Sequence, residues 1–168
     1  HSHYGKLPWA QVMQPAIEVA RLGFLVDADM VRYMNSVAKP NGDFFTQDPA
    51  WAIDFAPGGQ RVQLHDLMTR KRYADTLEAI AKGGPDAFYT GFIAEATIDA
   101  LQQKGGTMTA ADLANYTVAV RTPSYITYRG YKLAACGAPA GGAVALSALK
   151  IVEGYEGFGD PAQVNLTT

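Results

Sequence analysis

Residues 116–135 read Tyr116-Thr117-Val118-Ala119-Val120-Arg121-Thr122-Pro123-Ser124-Tyr125-Ile126-Thr127-Tyr128-Arg129-Gly130-Tyr131-Lys132-Leu133-Ala134-Ala135. Here the chain turns from alanine-rich helical patterning to Tyr, Val, Ile and Thr, the residues that suit a pleated surface. Tyr116 to Val120 and Tyr125 to Ala135 are expected as strands. Thr122-Pro123-Ser124 between them suits a turn, so the stretch reads as an antiparallel hairpin. Two strands alone do not make a stable sheet. They need partners from outside this sequence.

Before this stretch the chain reads mostly as helix, with Gln60 to Met68 ambiguous. Trp9, Val12, Ile17, Ala20 and Leu22 recur near helical spacing, with Pro8 at the first turn and Gly23 as the cap. Pro15 should break this helix near Gln14. Asp27 should cap a helix from Ala28 to Val37. Its stripe of Met30, Tyr33, Met34 and Val37 reads as core packing before it reads as a ligand box. Lys39 to Asp43 is a turn by composition. Asp48-Pro49 opens a short helix to Phe55. Thr69 is the expected cap of a helix from Arg70 to Lys82, with one further turn from Pro85 to Tyr89. Phe92 to Lys104 is helical, and Thr109-Ala110-Ala111-Asp112 resembles a capping box for a brief helix to Asn115. After the hairpin, Ala143 to Val152 is apolar almost all round and is expected to be buried. Gly154 to Pro161 is turn-rich. The fold class is therefore mainly α with a late antiparallel hairpin, and 1–168 is expected to be a single domain.

Composition narrows the function. Of 168 residues, 48% are hydrophobic and 18% charged, which excludes a disordered chain. The net charge of −2 leaves no global basic field for nucleic acid. The single cysteine, Cys136, has no internal disulfide partner and reads as a buried thiol. No apolar run approaches the roughly 20 residues of a membrane span. The chain opens His1-Ser2-His3-Tyr4 and closes Val164-Asn165-Leu166-Thr167-Thr168, so it looks cut from a longer protein.

Few residues carry chemistry. His1 and His3 lack a third metal ligand. His65-Asp66 cannot be tied to a nucleophile, and adjacent residues rarely face each other productively. Arg70-Lys71-Arg72, with Arg61, is diluted by Asp66, Asp75 and Glu78 and reads as a solvated helix face. Ser147 in Leu-Ser-Ala-Leu is not a nucleophile elbow. Pro139-Ala140-Gly141-Gly142 is the strand-to-helix loop that could offer backbone N–H groups to a ligand. The plainer reading is a tight turn whose glycines let helix and strand approach. Asn115-Tyr116-Thr117 and Asn165-Leu166-Thr167 fit the N-glycosylation pattern at Asn115 and Asn165. Neither a metal nor a cofactor is expected.

Other blocks together carry a resemblance. They are Tyr4-Gly5-Lys6-Leu7-Pro8-Trp9, Gln14-Pro15-Ala16-Ile17-Glu18-Val19-Ala20, Ala74-Asp75-Thr76-Leu77 and Ala87-Phe88-Tyr89-Thr90-Gly91. Asp112-Leu113-Ala114, Arg121-Thr122-Pro123, Tyr128-Arg129-Gly130-Tyr131, Gly141-Gly142 and Leu149 to Tyr155 come next, in order. Through these blocks the chain resembles the γ-glutamyltransferase (γ-glutamyltranspeptidase) family. The family's usual Pro-Ser-Ser-Gly-Gly stands here as Ala138-Pro139-Ala140-Gly141-Gly142, without either hydroxyl.

The resemblance implies an N-terminal-nucleophile hydrolase with an αββα sandwich. A precursor cleaves itself into a large and a small subunit. The freed threonine attacks γ-glutamyl amides such as glutathione, and the glutamyl group passes to water or to an amino acid or peptide. The free terminal amine is the natural base, being close to the hydroxyl and near neutral in pKa. By this resemblance the chain corresponds to the later, mostly helical part of the large subunit and is expected to be inactive alone. Its partner is the small subunit of the same precursor. Nucleophile, oxyanion-hole groups and the arginine for the substrate α-carboxylate all lie outside it. Thr167-Thr168 is not the cleavage point, because the family separates that point from the Gly-Gly loop by a long stretch.

Localisation by resemblance is extracellular, periplasmic or at the cell surface. Two other readings stand beside the first. One is a related acylase acting on another amide, such as a β-lactam side chain. The other is a non-catalytic helical binding module. The module predicts a compact unit with a ligand groove. The subunit reading predicts an exposed apolar face and an unpaired strand edge.

Overall fold

Trp9–Leu22 is one unbroken helix, α1, although Pro15 stands inside it. The expected break near Gln14 is absent. Proline in a helix interior costs about 3 kcal/mol through its missing N–H and its ring. Packing offsets this. Met13, Ile17 and Ala20 of α1 meet Ala74, Leu77 and Ala81 of a later helix, α5 (Lys71–Gly83). Burying a large aliphatic side chain is worth roughly 2 kcal/mol. The Trp9 indole donates to the Ile80 carbonyl at 3.0 Å. The Arg21 guanidinium forks onto Asp75 and Glu78 at 2.8 and 2.9 Å. A proline defect in one helix is held by its neighbour.

The computed structural model describes residues 1–155, and residues 39–41 by backbone alone. Within the span expected to be one domain, 1–168, the chain divides after Tyr116 into two compact units.

In the first unit, Gly23 ends α1 at φ 107°, its N–H donating to the Val19 carbonyl. Strand β1 (Phe24–Leu25) pairs antiparallel with β2 (Leu67–Met68), Phe24 opposite Met68 and Leu25 opposite Leu67. Two-residue strands leave no periodicity to read in a sequence. Asp27 caps α2 (Ala28–Asn41), its Oδ1 accepting from the Met30 N–H at 2.7 Å. This helix outruns the expected end at Val37 and takes in the first part of the expected turn. The stop falls at Gly42, with φ 75°, a left-handed conformation that glycine adopts freely. Pro40, with its fixed φ, sits within the last turn.

A short helix, α3 (Phe44–Gln47), has no counterpart among the expected elements. Helix α4 (Pro49–Phe55) begins as expected, with the Asp48 carboxylate accepting from the Ala50 N–H. The core here is Val26, Met34, Ala38, Phe45, Val62 and Met68, backed by Phe24, Met30, Val31, Phe44 and Phe55. The Met30–Val37 stripe divides: Met34 is core, whereas Tyr33 and Val37 face out. Helix α5 starts after Arg70 with no side-chain cap, so Thr69 does not have the role expected of it. Helices α6 (Pro85–Tyr89) and α7 (Phe92–Gln102) come next, α7 burying Ala94 and Ile98. Helix α8 (Ala110–Ala114) opens on the expected capping box, Asp112 accepting from the Thr109 N–H and hydroxyl at 2.8 Å each.

The second unit holds the hairpin, but with its turn elsewhere in the sequence. Its strands are β3 (Ser124–Tyr128) and β4 (Tyr131–Ala135), with Ser124 opposite Ala135 and Tyr128 opposite Tyr131. The turn is Arg129-Gly130, at φ 46° and 86°, not Thr122-Pro123-Ser124. Positive φ at both central residues matches the right-handed twist of a hairpin. Residues 116–123 form no strand. Val118 and Val120 are 75% and 91% exposed, and a strand exists only through a ladder with a neighbour. Helix α9 (Gly142–Glu153) packs on both strands. Its expected burial is not found: Leu146 is buried, whereas Val144 and Ile151 are 73% and 62% exposed. Among the described residues, no helix is long and apolar enough to cross a membrane. Most of the turn-rich stretch Gly154 to Pro161 lies outside the described residues.

Candidate functional site

Residues 136–141 join β4 to α9. Gly142, the first residue of α9, lies against the end of β4. A Cβ there would come within 2.3 Å of the Cys136 carbonyl oxygen and 2.8 Å of the Ala135 Cβ. Only a residue without a side chain fits, so helix and strand meet backbone to backbone. Gly141 has φ −75° and open space around its Cα. The loop is braced by the Ala140 N–H on the Gly137 carbonyl at 3.0 Å, and its Ala138–Pro139 bond is cis. The first turn of α9 has no side-chain cap, so its amides carry the positive end of the helix dipole.

Beside this loop is a cleft of about 300 Å³. Its walls are Ala119, Arg121 and Pro123 on one side and Cys136 to Ala140 on the other. Arg121 is the one charged side chain among these lining residues. Of the expected loop, Pro139 and Ala140 line the cleft, and Gly141 and Gly142 do not. Cys136 is exposed, not buried as expected: it follows the last residue of β4, and the α9 residue that lies against its backbone, Gly142, has no side chain to cover it. With alanines and a proline along the loop, the described cleft offers backbone amides and one guanidinium, but no nucleophilic hydroxyl.

The remaining candidates fall elsewhere. The arginines of the basic cluster are paired with carboxylates. Asp54 lies 3.8 Å from Arg70 and 3.5 Å from Arg72, and Arg61 meets Asp43 at 3.3 Å. Arg70 also lies over the Tyr73 ring at 4.6 Å. Such a face is paired before any polyanion arrives. His65 adopts φ 71°, and the Asp66 carboxylate accepts from the Gln63 N–H at 2.7 Å, so this pair shapes a turn. The His1 ring bonds the Leu7 carbonyl and lies against Trp9. Ser147 lies inside α9 and faces out. Asn115 is exposed at the end of α8, whereas Asn165 and Thr167-Thr168 lie outside the described residues.

Two carboxylates organise charge without a motif to announce them. Asp54 gathers Arg70 and Arg72 from distant positions in the chain, a pairing without local signal. Glu153 accepts from Lys150 and from the Arg129 N–H, tying α9 to the hairpin turn; only the Lys150–Glu153 spacing is visible in the sequence. Hydrogen bonding by Lys150 holds the Glu153 carboxyl below the usual range. Lys82 does the same for Glu78, and the Thr109 hydroxyl for Asp112. None of these three lines the cleft.

A family model described as Gamma-glutamyltranspeptidase matches residues 1–167. Over 169 aligned residues, all of this chain and 29% of the relative, the chain is 48% identical to a glutathione hydrolase of Aspergillus flavus. It is 51% identical to a glutathione hydrolase proenzyme of Arthroderma benhamiae, across 94% of this chain and 27% of that one. An acylase proenzyme of a Pseudomonas species is 36% identical over 98% of this chain and 30% of its own length. The fold superposes on the γ-glutamyltranspeptidase of Helicobacter pylori with a TM-score of 0.84 and 29% identity, covering 95% of this chain and 46% of that one. The chain thus spans less than a third of the length of these curated relatives. Sequence and structure together establish that it belongs to the γ-glutamyltranspeptidase family.

Proposed function

We propose that this chain is the helical portion of the large subunit of an N-terminal-threonine hydrolase that cleaves γ-glutamyl amides such as glutathione. The glutamyl group passes to water or to an amino acid or peptide acceptor. One observation carries this reading: the match runs the full length of the chain, at 48% identity, to a protein named glutathione hydrolase. The lower identity to an acylase proenzyme, 36%, favours γ-glutamyl amides over another amide. Membership of this family argues against a free-standing binding module.

In this reading the chain itself performs no bond cleavage. It supplies a frame. Exposed Val118, Val120, Val144 and Ile151 are the apolar surface that the remainder of the precursor covers. The 116–123 segment gains strand partners there, and the sandwich is completed. The small subunit, freed by self-cleavage, is the partner, and its terminal threonine is the nucleophile. The Pro139–Gly142 loop stands nearest the substrate. The parent acts outside the cell, in the periplasm or at the cell surface.

The test is the full-length parent. The expected result is two chains by intact mass, the smaller beginning with Thr, and glutamate released from glutathione. A single uncleaved chain without hydrolysis overturns the enzyme reading. Cleavage with turnover of an acylated β-lactam but not of glutathione moves the substrate to the acylase class. Cell fractionation with the activity in the cytosol overturns the localisation.

A further inference from the structure

The triplet Asn115-Tyr116-Thr117 has the spacing of an N-glycan acceptor, an asparagine with a hydroxyl two residues on. The structure adds what the pattern lacks. Asn115 closes α8 at φ −87°, ψ −1°, where the helix stops. Its backbone N–H is bonded to the Ala111 carbonyl, so the residue is anchored. Its side chain is exposed, as is that of Thr117. The chain then continues through 116–123 without helix or strand. A transferase needs an asparagine it can reach on a segment it can bend, and helix interiors and ladder positions refuse both. Asn115 satisfies both on the chain before the remainder of the precursor pairs with 116–123: it is exposed at the end of α8, and the segment after it is not yet in a ladder.

We propose that Asn115 is an N-glycosylation site of the parent protein. The proposal rests on the reading that the parent is exported, and it applies to a eukaryotic secretory route. The co-reactant is a lipid-linked oligosaccharide pyrophosphate. Asn115 Nδ2 forms a bond to the anomeric carbon, and the bond from that carbon to the pyrophosphate oxygen breaks. The lipid pyrophosphate leaves with the electron pair, and one amide proton passes to a base of the transferase. The Thr117 hydroxyl is the recognition element. The glycan is large and hydrated, so it marks the end of α8 as a face that stays in solvent.

The experiment expresses the full-length parent in yeast, once with its own N-terminus and once behind a yeast secretion leader. Peptide-N-glycosidase treatment and mass spectrometry read occupancy at Asn115. The leader-bearing form is expected to carry a glycan there. Asn115→Gln and Thr117→Ala are expected to lose that one glycan, and Thr117→Ser to keep it. Any glycan remaining in Asn115→Gln reports Asn165 or a site outside this chain. A leader-bearing protein in the medium with bare Asn115 overturns the proposal and leaves the export reading intact. A glycan on the leader form but cytosolic retention of the native form keeps Asn115 as an acceptor and overturns export.

Discussion

The Cα of Gly142 stands so close to Cys136 that a Cβ on it would be 2.3 Å from the Cys136 carbonyl oxygen. Ordinary carbon contacts lie near 3.5–4.0 Å, so something must move if a side chain is added. The obstacle is backbone, and backbone yields least. Gly141, one residue earlier, meets nothing. The Gly-Gly pair is therefore unequal, and only its second member sets the spacing of helix and strand.

Gly142→Ala should consequently destabilise the parent by about 1–3 kcal/mol, the range for overpacking, and Gly142→Val by more. Gly141→Ala should be neutral or stabilising by up to about 1 kcal/mol, because its φ suits any residue. Thermal midpoints of the three variants and the wild type check this. Completeness of precursor cleavage and turnover provide a second reading. A Gly142→Val parent with unchanged stability, maturation and kinetics sinks both the packing argument and the placing of this loop near the substrate.

The α1–α5 seam makes a separate prediction. Ala74 is fully buried and Ile17 is 5% exposed. Ile17→Ala should cost about 3 kcal/mol through lost transfer energy and a residual cavity. At about 1.4 kcal/mol per tenfold, amide exchange of α5 should accelerate about a hundredfold wherever opening of that seam limits exchange. Glu18→Ala, one residue along on the exposed side, should leave α5 unchanged. Equal exchange in both variants would mean that α5 is held by something other than α1.

The cap of α2 is a third. Asp27 Oδ1 accepts from the Met30 N–H at 2.7 Å. Asp27→Ala should cost about 1 kcal/mol, and Asp27→Ser far less, because serine also accepts from the first-turn amides. Comparing the two thermal midpoints separates capping from mere loss of charge: if serine behaves like alanine, the cap is not what stabilises this helix.

How far these features are legible depends on their range in sequence. Asp27, Asp48 and the Thr109–Asp112 box act within three residues, and each is readable from residue type and spacing. Pro15 misleads because its local cost is real, while the compensating partners, Ala74 and Leu77, lie on a different helix. The hairpin lies in the expected stretch but turns at another place. Thr122-Pro123-Ser124 has the composition of a turn, whereas Arg129-Gly130 takes positive φ at a non-glycine residue, with little sequence signal. Val118 and Val120 have strand composition but no ladder among the described residues. At the candidate site, Gly142 is legible for its reason, close approach. Cys136 is not, because the α9 residue that meets it, Gly142, has no side chain with which to cover the thiol. Asp54 is invisible because charges distant in sequence carry no pairing pattern.

Glu153 supplies a prediction with a defined sign. Its carboxylate accepts from Lys150, which also donates to the Thr127 carbonyl, and from the Arg129 N–H at the hairpin turn. The Lys150 bond, then the Arg129 amide, hold its pKa below the ordinary glutamate value. A carboxyl with a depressed folded-state pKa binds fewer protons folded than unfolded. The stability it contributes is therefore fully present above the ordinary glutamate pKa and is lost as pH falls through the lower, folded value. Glu153→Gln should be less stable than the wild type at neutral pH, with faster exchange of the Arg129 amide. The gap should close as the solution is acidified below the usual glutamate range, where the wild-type carboxyl is itself protonated. It should also shrink in high salt, since the pair is partly exposed. A difference that stays constant from neutral pH into acid would show that the glutamine disturbs packing of α9, and that the charge of Glu153 does not hold the helix to the turn.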